Sequence, residues 1–289
     1  MTQSVAAATQ PRPARRPRRD RKVGAHIVLV IYSVIVLVPL LFVLFLSFKD
    51  IGGILGTPLQ LPQQWHPENF SQAWQAGGLG RLLLNTIFVT VISVAGILTL
   101  SSLAAYVIAR YRFRGNQLLY LYFVSGMALP IQLVALPIFV LVRNLNLLDS
   151  LWGLIIVMAA GGMSFSVFLL VNFMRTIPWE LQEAATVDGA GTMRIYWHVV
   201  LPLVRPALGI VAIFQFLAIW KEFFLPLLLL QDPHKMTVSV GILNFVGQYT
   251  TEWELLLAGI VIVSLPTIIG FLLVSRQFRR NMMAGAVKL

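Results

Sequence analysis

The charged residues of this chain are spaced widely enough that the intervals between them can each cross a membrane. Between Lys22 and Lys49 lie 26 uncharged residues, and between Arg81 and Arg110 lie 28. A further 28 separate Arg114 from Arg143, 25 separate Asp149 from Arg175, and 21 separate Glu254 from Arg276. A helix needs roughly 20 apolar residues to cross the hydrocarbon core. A sixth run, 206–231, is interrupted only by Lys221 and Glu222. Barrel strands alternate apolar with polar residues, and "VLVIYSVIVLVPLLFVLFL" does not. Only 11% of the residues are charged and 58% are hydrophobic, against about 25% charged in a soluble domain, which leaves too little polar surface to face water. The expectation is an all-α integral membrane protein. Its six transmembrane helices fall near 25–48, 84–108, 118–142, 151–174, 207–230 and 255–275.

Lys and Arg set the orientation. The stretch "PRPARRPRRDRK" precedes the first span, "RYRFRGN" lies between the second and third, and Arg175, Arg194 and Arg205 lie between the fourth and fifth. Arg276, Arg279, Arg280 and Lys288 follow the last. The other side holds only Lys49, Arg81, Arg143 and Lys235. Basic loops stay in the cytoplasm, so both termini are expected there, in a bacterial-type cell membrane. Residues 1–24 read as a basic, disordered cytoplasmic tail that touches anionic lipid. Residues 25–275 read as the permeation domain and 276–289 as a C-terminal cytoplasmic tail. A net charge of +11 could suggest nucleic acid, but a topogenic tail accounts for it, so no nucleic-acid partner is expected. The apolar run after "ARRPRR" is too long for a signal peptide and lacks a small-residue cleavage site, so it reads as an uncleaved span. The chain has no Cys, which excludes disulfides and thiolate chemistry.

One cytoplasmic loop, 175–205, is too long and too patterned to be a connector. It reads "RTIPWELQEAATVDGAGTMRIYWHVVLPLVR". Pro178 and Glu180 suit the first turn of a helix, because Pro lacks an N–H that would be unpaired there and the acid faces the positive dipole end. A helix over about 178–188 groups Leu181, Ala184, Ala185 and Asp188 near one face, with Glu180, Glu183 and Val187 near another. Gly189 is placed to end it at positive φ. Thr192 is placed to cap a second short helix running to about Leu201, which Pro202 ends before Pro206 opens the fifth span. Small residues at 184 and 185 would let another backbone come close, and Glu183 can accept hydrogen bonds from a basic partner. A helix lying on the headgroups, or on the protein's own spans, satisfies the same residues.

The pattern Glu183-Ala184-Ala185, Gly189, Val199 and Leu201-Pro202 resembles the EAA loop of binding-protein-dependent ABC importer permeases. "NFMRTIPWELQEAATVDGAG", "LPLVRPAL" and "AGAVK" are similar to the carbohydrate-uptake branch and to its shorter, maltose-type permease subunit. The resemblance implies a six-span permease that pairs with a second homologous permease. It implies docking of the loop, through Glu183, Ala184, Ala185, Asp188, Gly189, Leu201 and Pro202, on an ATPase dimer that holds ATP and Mg. It implies a sugar delivered by an extracytoplasmic solute-binding protein. No catalytic residue, metal or cofactor is expected on this chain, which has no GxxxxGK[ST] phosphate loop.

Polar groups inside spans are functional suspects. Lys221 and Glu222 form the one charged pair within an expected span, Trp220 could stack on a sugar ring, and Gln132 and Gln215 could line a path. Snorkelling, or a structural pair with another span, is the favoured account of Lys221 and Glu222, and packing explains Trp220 as well as stacking does. Pro130, Pro137, Pro226 and Pro266 are expected to mark bends. The rival readings are an ABC permease for a non-sugar solute such as an organophosphate or peptide, and a self-contained secondary transporter. The latter usually shows internal repeats or buried midplane acids, and neither is visible. A membrane enzyme is disfavoured, since His26, His66, His198 and His234 are scattered and form no HExxH.

Overall fold

The computed structural model describes residues 19–247 and 251–286. It is all-helical, with no strand among the described residues. The helices are α1 (Arg19–Leu46), α2 (Ile51–Gly56), α3 (Glu68–Ala76), α4 (Leu79–Arg110), α5 (Asn116–Ser125), α6 (Ala135–Asn144) and α7 (Leu151–Arg175). They continue with α8 (Glu180–Val187), α9 (Thr192–Ile195), α10 (Leu201–Trp220), α11 (Phe224–Leu229), α12 (Val238–Gly241) and α13 (Trp253–Ala286). Among the described residues, five helical segments are long and apolar enough to cross a membrane, or six if the bent α5–α6 pair counts as one span.

The core forms where α4, α7 and α10 meet. On α4 the buried positions Leu82, Thr86, Val89, Ser93, Ile97, Ser101, Ala105 and Ile108 recur at helical spacing and make one stripe. Much of that stripe is small or hydroxylic, which lets helix backbones approach closely within a membrane. Ile155, Met158, Val167, Leu170 and Met174 of α7 and Val204, Ala207 and Val211 of α10 join the same cluster. α1 leaves its apolar surface uncovered, as a helix facing lipid does. A second cluster at the opposite end from the 180s loop joins α3, the start of α4, α12 with the turn after it, and α13 through Ala73, Leu79, Val238, Phe245 and Ala258.

Several boundaries differ from the sequence expectation. The third segment is not one straight helix: Asn116–Ala128 and Ile131–Asn144 meet at 100°. Pro130 sits at this break because it lacks an N–H and disfavours helix in the residue before it. Leu129 is accordingly extended, at ψ 112°. The fifth segment ends at Trp220, and a separate α11 follows. Pro226 forbids a hydrogen bond to residue 222 and would drive its ring into that carbonyl, so the chain breaks before it. At the ends, α1 begins at Arg19, inside the stretch expected as tail, and α13 runs to Ala286 through the expected C-terminal tail. No Pro or Gly interrupts "RQFRRNMMA", so nothing stops the helix there. The remainder of the basic N-terminal tail lies outside the described residues, as does the stretch 248–250.

Candidate functional site

α8 stands on a polar socket made by the end of α4. Arg110 is buried and donates from Nη2 to the Ile177 carbonyl at 3.0 Å, with its guanidinium 5.6 Å from the Trp179 ring centre. Gln182, also buried, reaches the Tyr106 hydroxyl at 3.4 Å. The Tyr196 hydroxyl shares a 2.8 Å hydrogen bond with Ser102, and its ring lies 5.2 Å from that of Tyr106. α8 is therefore tied to α4 at both its base and its middle.

The far end of α8 closes on Gly189. The amide of Gly189 donates to the Thr186 carbonyl and that of Ala190 to the Ala185 carbonyl, both at 3.0 Å. This pair of bonds satisfies carbonyls that a helix end otherwise leaves open, and it requires a left-handed residue between. Gly189 has φ +79°. A Cβ there would meet nothing within 4 Å, so the constraint is conformational and not steric.

The two alanines do not share one surface. Ala185 turns half-buried against the protein's own core, with Gln182 beside it, while Glu183 and Ala184 remain exposed. The open side of the loop carries Trp179, Leu181 and Val187, the last 88% exposed. A groove of about 380 Å³ runs between Trp179, Gln182, Glu183, Thr186 and Val187. Asp188 caps α8 and is exposed.

The second half of the loop departs from expectation in two ways. Gly191, not Thr192, is the N-cap of α9. Pro202 does not end the helix, because α9 passes through a π-helical turn at Tyr196–Val200 into α10 and on through Pro206. The Leu201 amide reaches back five residues to the Tyr196 carbonyl. This wider turn relieves the clash that a Pro ring makes with the carbonyl four residues earlier. Val199, Leu201 and Pro202 therefore lie on one continuous rod from Thr192 to Trp220.

The five candidate path residues are not brought to one place. Gln132 is exposed on the short turn after Pro130. Gln215 is buried, and its amide donates to the Gly162 carbonyl at 2.9 Å and to Ser166 Oγ at 3.0 Å, pinning α10 to α7. Trp220 is buried, with its ring 5.5 Å from that of Phe216. Lys221 and Glu222 lie at the helix break and not inside a helix. Lys221 is exposed, and Glu222 Oε1 accepts from the amides of Phe224 at 3.0 Å and Leu225 at 3.2 Å, so it caps α11. Ser239 Oγ donates to the Glu222 carbonyl at 2.5 Å, which fastens the break to α12. Glu222→Leu is expected to uncap α11 and destabilise the purified protein by about 1 kcal/mol. Glu222→Gln keeps an acceptor oxygen and should cost less. The thermal midpoints of the two variants check this order.

A clasp at the end opposite α8 has no signal in the local sequence. Asp149 Oδ1 accepts from the amides of Gln231 at 2.9 Å and Asp232 at 3.0 Å, and Oδ2 pairs with Lys235 Nζ at 2.8 Å. Lys235 also donates to the Asp149 carbonyl at 2.9 Å. The loop before α7 is thereby buckled to the loop after α11. The Asp232 amide, then Lys235 and the Gln231 amide, hold the Asp149 carboxyl down to about 2 from an ordinary 3.8. A depressed carboxylate stabilises the fold above its unfolded value and loses that contribution as pH falls through the folded one. Hydrogen-exchange protection of the Gln231 and Asp232 amides is expected to persist to pH 3.8 and to collapse only towards pH 2. Asp149 has φ +53°, which Asn tolerates. Asp149→Asn should therefore keep part of this protection and Asp149→Ala lose it. Among the described residues no three His, Asp or Glu come together to hold a metal ion.

Residues 97–282 match the family described as "Binding-protein-dependent transport system inner membrane component". The matched stretch contains the second half of α4, the whole 180s loop and α10. The chain belongs to this family. It is an inner-membrane, multi-pass component of a binding-protein-dependent ABC import system, and the resemblance to carbohydrate-uptake permeases is borne out. It is 35% identical over 273 residues to the diacetylchitobiose uptake system permease protein NgcG of Streptomyces coelicolor, covering 93% of this chain and 90% of that one. It is 31% identical to the probable starch degradation products permease AmyC of Thermoanaerobacterium thermosulfurigenes, covering 90% and 94%. It is also 31% identical to the sn-glycerol-3-phosphate permease UgpE of Yersinia pestis, covering 92% and 97%. In fold it matches a chain of a bacterial ABC transporter involved in import of the polysaccharide alginate, with TM-score 0.77 and 24% identity, over 91% of this chain and 99% of that chain.

Proposed function

We propose that this chain is one of two homologous permease subunits of an ATP-driven importer for a di- or oligosaccharide or related polyol. The α5–α6 pair counts as one bent span, giving six spans with both termini in the cytoplasm and α8 on the cytoplasmic face. The observation that carries the reading is α8 itself. It is a short helix bonded to α4 through Arg110 and Gln182, and it exposes Trp179, Leu181 and Val187 around Glu183. An exposed apolar patch rimmed by the carboxylates of Glu180, Glu183 and Asp188 has the apolar centre and polar rim of a protein-docking surface. Its partner is an ATPase dimer that holds ATP and Mg and carries out the hydrolysis, for which this chain supplies no residue.

The mechanism follows from the bonds around the loop. When the ATPase subunits close, α8 moves with them. Arg110 and Gln182 carry the displacement to α4, and the turn at Gly189 carries it to the continuous rod Thr192–Trp220. Packed helices move as rigid bodies between two arrangements, which alternates access to a central path. Glu183, Ala184 and Asp188 face the ATPase, Ala185 seats the helix, and Leu201 and Pro202 lie at the foot of the rod. The breaks at Pro130 and at Trp220, Lys221 and Glu222 are the path candidates, with Gln132 and Gln215, since broken helices line cavities in transporters.

The sugar assignment rests on the chitobiose and starch-product relatives. An extracytoplasmic binding protein is the delivering partner, in keeping with the alginate transporter solved with a sugar-bound periplasmic protein. The glycerol-3-phosphate relative favours an organophosphate as the second reading. The test is ATP-driven uptake in vesicles carrying this chain, the partner permease, the ATPase and the binding protein encoded beside them. Sugars and sugar phosphates are screened together. Accumulation of a sugar that stops when any one component is omitted supports the reading. Uptake by this chain alone, or uptake of a phosphate ester only, contradicts it.

A further inference from the structure

A cavity of about 1220 Å³ lies beside α8, where α4 turns into α5. Three guanidinium groups line it, from Arg110, Arg112 and Arg175, and no carboxylate does. None of the three forms an ion pair among the described residues. Arg110 is 6% exposed, and its buried Nε–H meets no acceptor. The Arg175 guanidinium lies over the Tyr120 ring, 5.1 Å from its centre, and Arg112 is exposed. Three neighbouring cations without a counter-charge repel one another, and an anion offsets that repulsion.

The opposite wall is apolar. Leu118 and Leu121 of α5 border the same cavity and are 73% and 50% exposed. α5 is apolar and has no buried residue, as expected of a helix bathed in acyl chains. The cavity thus offers a cationic floor continuous with a greasy, outward-facing wall. A soluble phosphate would use only the floor. A phospholipid uses both, with its phosphate on the arginines and an acyl chain along the leucines. Basic pockets between helices at the cytoplasmic interface hold lipid headgroups in this manner.

We propose that this cavity is a binding site for an anionic phospholipid, with Arg112 and Arg175 holding the headgroup phosphate. Arg110 forms the floor and also carries the Ile177 carbonyl at the base of α8. A lipid seated there touches the socket of the helix that we read as the coupling element. The cytoplasmic placement rests on the orientation given above; binding of the lipid does not.

The test is native mass spectrometry of the full-length chain, purified in detergent with its accompanying subunits. Phosphatidylglycerol and phosphatidylcholine of identical acyl chains are offered together, then challenged with millimolar inorganic phosphate. Expected is a preference for phosphatidylglycerol of about tenfold, resistant to phosphate and lost in Arg112→Gln/Arg175→Gln. Arg143→Gln, which removes a cation at the other end of the molecule, should leave the preference unchanged. Equal retention of the two lipids, or a preference that survives the double substitution, overturns the proposal. Displacement by inorganic phosphate alone overturns it in favour of a free anion. Loss of the ATPase from the double variant with lipid retention intact assigns the arginines to protein docking and also overturns it. A transporter that keeps the lipid preference but shows no ATP-driven uptake would instead refute the function proposed above.

Discussion

A Gly189→Val chain is expected to insert into the membrane in normal amount, yet to lose ATPase association and at least about tenfold of its uptake. Gly189 holds φ +79°, and a left-handed backbone costs an ordinary L-residue roughly 1–2 kcal/mol. A β-branched side chain is the worst case. The chain relieves that strain by giving up the bonds from Gly189 and Ala190 to the Thr186 and Ala185 carbonyls. α8 and the rod that begins at Thr192 then lose their fixed angle. Since a Cβ at this position meets open space, crowding does not enter. Gly189→Asn, which tolerates the left-handed region, should retain most of the uptake. Equal loss in Val and Asn variants would point to contact at this position and not to backbone geometry.

The second large effect is at the opposite end. Gly153→Val is expected to destabilise the purified protein by about 1–3 kcal/mol or more, seen as a lower thermal midpoint and reduced expression. Gly153 lies in the first turns of α7, and a Cβ on it would strike the Leu147 carbonyl oxygen, with the Leu147 carbonyl carbon at 3.1 Å. The obstacle is backbone, so no side-chain rotation relieves it. Displacing Leu147 also moves the loop that carries Asp149, and with it the clasp to Lys235 and the Gln231 and Asp232 amides. Loss of amide protection at 231 and 232 should therefore accompany the loss of stability. A Gly153→Val protein with a normal thermal midpoint would show that this loop yields more easily than the contact implies.

The parts legible in the sequence were those governed by local rules. Charge spacing located the apolar helices, and the run of Pro178, Glu180 and Gly189 marked α8 with its left-handed end. The missed parts depend on residues far apart in the chain. Nothing near Asp149 announces Lys235, and nothing near Arg110 announces Ile177 or Trp179. A polar residue on a short exposed helix usually faces water, whereas Gln182 faces Tyr106. Pro130 was expected to mark a bend and does, at 100°. Pro202 was expected to stop a helix and does not, because the π-helical turn at Tyr196–Val200 gives its ring room. Lys221 and Glu222 looked like a charged pair within a helix, but the missing N–H of Pro226 opens the chain there and turns Glu222 into a cap. Ala184 and Ala185 looked alike in the sequence. Only their places around the α8 axis separate one that faces outward from one that packs inward.

In the proposed function, ATP-driven motion enters this chain at the exposed side of α8. The chain contains no Cys, so a single introduced thiol reports one position without background. Cysteine would be placed at Ala184, on the open side, and at Arg143, at the far end, in otherwise native transporter. A short bifunctional reagent would then be applied with and without ATP. We predict that Ala184→Cys cross-links to the ATPase subunit in a yield that ATP changes, while Arg143→Cys does not cross-link to it at all. No ATPase adduct from Ala184→Cys in a transporter that still carries out ATP-driven uptake would contradict the account.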